Sequence, residues 1–170
     1  QTAATLINCT FSNNTANKGA GIYLADNTSS LTNVISYGNM GSTGADLQNH
    51  NSTVSASNCI LGVTSATTGS VINGTSSNVS SSDPLLNSFA DNGGYSYTYS
   101  LQVGSPAIDG GISSSGVLSY DQRGYATNGT KDIGAYEYDG VGRSWKGTTN
   151  NDWSTSSNWF ENSIPTTATN

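Results

Sequence analysis

One spacing near the start of the chain limits what it can fold into. Asn8, Asn33 and Asn58 stand 25 residues apart, and each opens a short apolar run. A fixed repeat of roughly 20 to 30 residues, made of short strands and polar turns, is typical of a chain in which similar units stack on one another. The spacing therefore predicts a solenoid over residues 1–82, whose function is carried by a surface.

The repeated asparagine has two properties that suit a bend in such a solenoid. Asparagine tolerates the left-handed backbone conformation that sharp corners require. Its side-chain amide can also bond the equivalent amide of the next unit, which satisfies polar groups that would otherwise be buried without a partner. Asn8, Asn33 and Asn58 are therefore predicted to form a structural ladder. The alternative is that asparagine is simply abundant here and the spacing is accidental.

Short strand-like runs recur through the first part of the chain, and clusters of Asn, Gly, Ser and Thr separate them as turns would. We expect an all-β fold in which these runs stack in parallel as a single-stranded parallel β-helix. The predicted strands are Ala4–Phe11, Gly21–Leu24, Ser30–Tyr37, Ala45–Gln48, Thr53–Leu61 and Ser70–Asn73. An alternating subset of the apolar residues is expected to fill the interior: Leu6, Cys9, Phe11, Ile22, Leu24, Leu31, Val34, Ile60, Leu61, Val71 and Ile72.

Charge is scarce and mostly negative. Charged residues make up 9% of the chain, and the net charge is −6. No Lys or Arg occurs from Gly19 to Gln122, so this stretch has no cations to neutralise nucleic-acid phosphates or an anionic membrane surface. No apolar run approaches the roughly 20 residues of a membrane span. We therefore expect neither nucleic-acid binding nor membrane insertion by this segment.

The two cysteines occupy equivalent places in the repeat. Cys9 and Cys59 each follow a periodic asparagine and stand two repeats apart. If each repeat is one coil, the two residues lie about 9 to 10 Å apart, which exceeds the roughly 7 Å between Cα atoms that a disulfide tolerates. We expect two buried, unpaired thiols.

The composition changes at two points, which predicts three segments. Residues 1–82 are expected to be the last coils of the β-helix. Aromatic residues and charges return in residues 83–140, and an open solenoid end needs a cover, so we expect a C-terminal cap there. The three tryptophans all fall within residues 141–170, which are expected to be a linker and the truncated start of a following Trp-containing β module.

Three motifs follow one another in the predicted cap. They are Gly-Ser-Pro-Ala-Ile-Asp-Gly-Gly at 104–111, Asp-Gln-Arg-Gly-Tyr at 121–125 and Asp-Ile-Gly-Ala-Tyr-Glu-Tyr at 132–138. In this order they resemble the C-terminal end of secreted bacterial parallel β-helix surface proteins, the choice-of-anchor or polymorphic-outer-membrane-protein-like repeat proteins. The resemblance covers about residues 5–138. Ala126 and Thr127 depart from it, since an arginine often follows the Arg-Gly-aromatic step at that distance.

The resemblance implies a location and a general role. It implies a right-handed helix, in agreement with the chirality of parallel crossovers. It also implies an extracellular or bacterial cell-surface location within a large protein that serves in adhesion or surface display, and it supplies no catalytic residues. The tryptophan-containing tail is similar to modules in Bacteroidetes-type surface proteins, which commonly leave the cell through a type IX secretion system.

Acidic residues concentrate around one arginine of the predicted cap. An arginine fork can bridge a carboxylate and backbone carbonyls at once, so Arg123 is expected to pin a long loop of the cap; a substrate-binding arginine is the alternative. The acidic residues show neither the spacing of a calcium loop nor that of a glycine-rich nonapeptide repeat. We expect no metal, cofactor or catalytic pair, although two carboxylates facing one cleft stay open as an alternative. The predicted cap residues are Asp109, Asp121, Arg123, Asp132 and Glu137.

The tyrosines of the cap carry two interpretations. Tyr95, Tyr97 and Tyr99 alternate, which places three rings on one face of a strand. They are expected to form an apolar lid over the last coil, and the alternative is a candidate sugar platform. His50, the single histidine, is expected in an exposed turn without a nucleophile at a recognisable spacing.

These observations predict a structural or adhesive segment of a large secreted cell-surface protein, and not an enzyme. A carbohydrate-binding or polysaccharide-degrading β-helix module is the first alternative, and a cargo fragment of type IX secretion is the second. The expected partners are a glycan or another cell-surface ligand and the secretion machinery.

Overall fold

The fold is all-β. The computed structural model describes residues 3–67, 77–113, 116–127, 129–138, 150–155 and 158. Within these residues lie nine strands and no α-helix. The strands are β1 (Thr5–Ile7), β2 (Thr10–Phe11), β3 (Ile22–Ala25), β4 (Thr28–Thr32), β5 (Ile35–Ser36), β6 (Leu47–His50), β7 (Thr53–Leu61), β8 (Thr64–Ala66) and β9 (Ser77–Ser80). The predicted strand Ser70–Asn73 and the interior residues Val71 and Ile72 lie outside the described residues.

The strands form two sheets in which every pairing is parallel. The first sheet has the order β1-β4-β7-β5-β2, and β9 also pairs with β7. The second sheet has the order β3-β6-β8. Strand β7 pairs with both β4 and β5 because it spans, in one piece, the length that β4 and β5 cover separately. The all-β, parallel-stranded part of the expected fold is confirmed, and the arrangement is compatible with a β-helix.

The 25-residue spacing is the register in which the first strands pair. Thr5 lies opposite Ser30, Ile22 opposite Leu47, and Thr28 opposite Thr53. We therefore divide this region into repeat 1 (residues 3–27), repeat 2 (residues 28–52) and repeat 3 (from residue 53). Backbone positions with left-handed φ recur at the same spacing: Asn8, Asn33 and Asn58 (50°, 52° and 49°), Asp26 and Asn51 (51° and 55°), and Gly19 and Gly44 (51° and 49°).

The register shortens after repeat 2. Ser57 pairs with Ser77, a separation of 20 residues. Leu47 pairs with Thr64, which is also fewer than 25 residues away. Because Ser57 and Cys59 face Ser77 and Val79, Asn58 lies opposite Asn78, which has the same left-handed φ of 52°. Asn78 therefore continues the row of periodic asparagines. A search at a fixed spacing of 25 residues misses it.

The periodic asparagine lies in the middle of each predicted strand and not at its start. Asn8 separates β1 from β2, and Asn33 separates β4 from β5, so two of the predicted strands are each split in two. The left-handed φ turns the chain at this point and interrupts the pleat. The third run forms one strand over the predicted bounds, Thr53–Leu61, although Asn58 has the same φ.

Apolar side chains from both sheets pack together in one core. The buried members of this inner core are Ile22, Leu24, Leu31, Val34, Leu47, Val54, Ala56, Cys59 and Leu61. Ile60, which lies between Cys59 and Leu61, is the residue of this strand that the predicted alternating subset leaves out, because successive side chains along a strand point to opposite faces. Ile60 and its register partner Ile35 pack in a second cluster with Leu101, Ala107 and Ile133.

Residues 83–138, called here the C-terminal segment, cover that outer face of the first sheet. The segment contacts three successive repeats. The amide of Ala135 donates to Thr10 Oγ1 at 3.0 Å, and the amide of Gly134 donates to the Asn33 carbonyl at 3.0 Å. Asn58 Nδ2 donates to the carbonyl of Gly110 at 2.6 Å. The predicted cap thus packs along the side of the stack, because Ile35 and Ile60 leave an apolar surface there.

Gly134→Ala is expected to separate the C-terminal segment from the sheet. Gly134 has a φ of +106°, and an added Cβ would lie 2.7 Å from Thr10 Oγ1 and 2.8 Å from Ile35 Cδ1. We expect a loss of about 2–4 kcal/mol in the free energy of unfolding, from backbone strain and overpacking together. Gly129 is the matched control, because it has a φ of +91° and no atom within 4 Å of an added Cβ. Equal losses for both variants in urea unfolding would contradict this packing.

Candidate functional site

The periodic asparagines join the repeats to one another and to the C-terminal segment. Asn33 Nδ2 donates to Asn8 Oδ1 at 3.0 Å and to the Ile112 carbonyl at 2.9 Å. Asn33 Oδ1 accepts from the amide of Ile112 at 2.9 Å. Asn58 instead donates to Gly110. The side-chain ladder therefore has a direct hydrogen bond between Asn8 and Asn33, while Asn33 and Asn58 hold residues 112 and 110 of the segment.

Further polar side chains bond across adjacent repeats at other corners. The backbone amide and Nδ2 of Asn14 donate to Asn39 Oδ1 at 3.0 and 2.9 Å. Asn51 Nδ2 donates to Asp26 Oδ1 at 2.9 Å. Both pairs are separated by 25 residues, so the same spacing search could have found them from the sequence. These polar side chains at the corners thus connect adjacent repeats, in addition to the backbone hydrogen bonds between paired strands.

Arg123 lies at the centre of the C-terminal segment and is 4% exposed. Its Nε donates to Asp121 Oδ2 at 2.7 Å, and its Nη2 donates to the Glu137 carbonyl at 2.7 Å. Its guanidinium carbon lies 3.7 Å from the ring centroid of Tyr136 and 4.6 Å from that of Tyr125. A guanidinium with these contacts is committed to the fold and has little capacity left for a substrate.

Asp121 organises the turn that carries Arg123. Its Oδ1 accepts from the amides of Arg123 and Tyr125 at 2.9 and 3.0 Å, and its Oδ2 accepts from the amide of Glu137 at 3.2 Å. One carboxylate therefore closes its own turn and bonds the last motif of the segment. This explains why the Asp-Gln-Arg-Gly-Tyr and Asp-Ile-Gly-Ala-Tyr-Glu-Tyr motifs occur together.

Asp132 and Glu137 are two further buried carboxylates. Asp132 Oδ1 accepts from the amide of Asp109 at 2.8 Å, and Oδ2 accepts from the amide of Tyr138. Glu137 Oε2 accepts from the amide of Asp132 at 3.3 Å, and Oε1 is buried without a hydrogen-bond partner. Burial raises the pKa of Asp132, and burial together with the charges of Asp132 and Asp121 raises the pKa of Glu137 to about 7.

Two residues of this region have roles that the sequence did not predict. Asp109 contributes its backbone, with a φ of 54°, and its side chain is exposed. Sequence reasoning did not single out Lys131, which is 7% exposed and donates through Nζ to Thr127 Oγ1 at 3.0 Å. The charge of Lys131 lowers the pKa of Glu137, against the larger effect of burial. We call Asp121, Arg123, Lys131, Asp132 and Glu137 the charged cluster.

The expected tyrosine lid is wrong for Tyr95, which is fully exposed. Tyr97 is 56% exposed and lies edge-on to Phe89, with 5.7 Å between ring centroids. Tyr99 packs 5.0 Å from Phe89, and its hydroxyl contacts the Ser12 carbonyl and Asn13 Nδ2 at 3.3 and 3.2 Å. Because these partners belong to repeat 1, the tyrosines lie beside the stack and not over its last strand.

Both cysteines are free thiols. Cys59 is fully buried, but Cys9 is only half-buried, and burial raises the pKa of both thiols. The expected exposed turn at His50 is wrong, because His50 ends β6 and is half-buried. Of the tryptophans, Trp153 is 68% exposed, and Trp145 and Trp159 lie outside the described residues.

Each of two open clefts has one carboxylate among its described lining residues. One, of about 580 Å³, lies between β9 and residues 106–112 and is lined by Asp109. The other, of about 520 Å³, lies at a corner of the stack and is lined by Asp26. Glycoside hydrolysis uses two facing carboxylates, which the described lining of neither cleft supplies. Within the described ranges, no group of three or more His, Cys, Asp or Glu is arranged to hold a metal, and no helix is long and apolar enough to span a bilayer.

Comparison of the chain with known protein families, curated proteins and solved structures finds no match in any of the three. The geometry of the repeats and the motifs of the C-terminal segment are therefore what bears on the function.

The stability of the protein is expected to fall as the pH rises through about 7. Glu137 has a folded-state pKa of about 7, above its ordinary value of 4.5. Its contribution to the free energy of unfolding is therefore fully present below pH 4.5 and is lost as the pH rises through 7. We expect a loss of about 1–3 kcal/mol between pH 5 and pH 9. Glu137→Gln is expected to flatten this profile and to stabilise the protein at pH 9.

Urea unfolding at a series of pH values measures this effect. Asp26→Asn, at a corner of the stack, is the control and should leave the slope unchanged. A wild-type profile that is flat from pH 5 to pH 9, or one that Glu137→Gln leaves equally steep, would show that the buried carboxylate does not titrate in this range.

Proposed function

We propose that this chain is part of a right-handed parallel β-helix that serves as a structural or adhesive segment of a large secreted bacterial surface protein, and that it is not an enzyme. The observation that carries the proposal is the 25-residue register shared by both sheets and by the corner contacts between repeats. A chain that repeats strands, bends and polar contacts at one spacing is suited to extending a rigid stack.

The interior supports a rigid role. Leu31 and Val54 of the first sheet and Leu47 of the second are at most 1% exposed. Their burial fixes the strands of one sheet against those of the other. Side-chain hydrogen bonds at the bend join Asn8 to Asn33, and they join Asn33 and Asn58 to backbone carbonyls of the C-terminal segment.

The charged cluster supports a structural role for the C-terminal segment. Arg123 bonds Asp121 and the Glu137 backbone, while Asp132 bonds two backbone amides, so these polar groups hold loops to one another. Removal of one partner from such a cluster leaves a buried charge and is costly. We assign to the segment the function of a clamp that holds three successive repeats from the side.

The surface location follows from the motif resemblance and accords with the sparse charge of the repeats. Export by a type IX secretion system is a further expectation of the same resemblance. Labelling of intact cells of the source bacterium with an antibody to the chain tests the location. Signal that arises only after lysis would contradict it.

Duplication of repeat 1 tests the stacked architecture directly. In the described residues β1 and β3 each pair on one side, with β4 and β6. A second copy of residues 3–27 placed before residue 3 is expected to stack on these open edges, because its strands and bends fall in register. We expect cooperative unfolding at a higher melting temperature, since nearest-neighbour interfaces add stability in repeat proteins.

A scrambled version of residues 3–27 is the matched control, because it keeps the length and composition of the insert but loses the positions of its strands and bends. It should give no stabilisation. If both insertions have the same effect on the melting temperature, the repeats do not stack as proposed.

A further inference from the structure

Two stretches of the C-terminal segment pair antiparallel and sort their side chains onto two faces. Leu86 lies opposite Leu101, and Ala90 exchanges backbone hydrogen bonds with Thr98 at 3.0 and 3.2 Å. Thr98 and Ser100, two residues apart, are buried. Because neighbouring residues of an extended chain point to opposite faces, the residues on either side of Thr98 and Ala90 point outward.

The outward face carries a row of aromatic rings, here called the aromatic strip: Phe89, Tyr95, Tyr97 and Tyr99. Phe89 and Tyr97 are 57% and 56% exposed, although their rings lie edge to face at 5.7 Å. Tyr99 anchors the row to repeat 1 through its hydroxyl. Tyr95 alternates with Tyr97 along the chain and is fully exposed. The strip thus exposes several aromatic rings and is held in place at one end.

We propose that the aromatic strip binds an uncharged carbohydrate chain. The C–H faces of sugar rings pack on exposed aromatic faces, and the sugar hydroxyls need hydrogen-bond partners beside them. Two side-chain amides lie next to the strip. Asn13 Nδ2 contacts the Tyr99 hydroxyl at 3.2 Å, and Gln122 Nε2 contacts Ser96 Oγ at 2.9 Å. Rings and amides therefore occur together on one polar surface.

The charge around the strip selects for an uncharged ligand. Asp91 is the one charged residue between Leu86 and Leu101, and no Lys or Arg occurs from Gly19 to Gln122. Arg123, which contacts the Asn92 carbonyl beside the strip, is buried and bonded to Asp121. An acidic polysaccharide or a nucleic acid would be repelled by the net charge of −6.

The chemistry of the strip also favours a sugar over a protein partner. Tyrosine, tryptophan and arginine anchors of protein interfaces lie in well-packed patches that become fully desolvated. The strip consists of tyrosines separated by Ser96 and Thr98, and its most exposed ring, Tyr95, stands clear of other side chains. This binding does not depend on the structural role proposed for the repeats.

The test uses the 170-residue chain and titrates cellohexaose, xylohexaose, mannohexaose and maltohexaose by isothermal calorimetry, with hexagalacturonate as the acidic counterpart. We expect at least one uncharged hexaose to bind and hexagalacturonate not to bind. Tyr97→Ala and Tyr95→Ala are expected to weaken binding at least tenfold, and Tyr97→Phe is expected to retain most of it.

Tyr95→Ala removes a fully exposed ring and keeps the test valid even if Tyr97→Ala disturbs folding. Tyr120→Ala is the matched control, because Tyr120 is 59% exposed and lies outside the strip. The proposal is overturned if none of the uncharged hexaoses binds at millimolar concentration, or if hexagalacturonate binds more tightly than they do. Binding that Tyr95→Ala and Tyr97→Ala both leave unchanged, or that Tyr120→Ala abolishes, would also overturn it.

Discussion

The left-handed bend at the periodic asparagine is the constraint on which the rest of this structure depends. Asn8, Asn33, Asn58 and Asn78 adopt nearly the same φ, and they stack in one row. Because the chain turns at the same point in each repeat, the strands before and after the bend stay in register. The asparagine side chains at the bend bond one another and the backbone of the C-terminal segment.

This register decides which side chains fill the core and which receive the C-terminal segment. Val34 and Cys59 face the inner core, while Ile35 and Ile60, one residue further on, form the outer surface. Gly134 can approach that surface closely because it has no side chain. The charged cluster then holds the motifs of the segment together. Packing of the segment along the stack is therefore a consequence of strand phase.

The sequence predicted the features that repeat locally and missed those that depend on distant contacts. The 25-residue spacing predicts the register because each repeat obeys the same local rule. Strands β8 and β9 escaped prediction because they contain one large apolar residue, Val79, and pair in a shorter register. The packing of Ile60 against Leu101 and Ile133, and the hydrogen bond from the Tyr99 hydroxyl to the Ser12 carbonyl, join residues far apart in the chain, which local pattern does not encode.

Native-state hydrogen exchange on Asn33→Ala tests the central claim, that one bend couples the repeats to the C-terminal segment. The amide of Ile60 bonds the Val34 carbonyl, and the amide of Gly134 bonds the Asn33 carbonyl. We expect both amides to exchange faster by a similar factor, corresponding to a loss of about 2–4 kcal/mol, because three side-chain hydrogen bonds are lost. Asn78→Ala, at an exposed site with the same φ, should have a smaller effect. Faster exchange confined to Gly134, with Ile60 unchanged, would contradict the account.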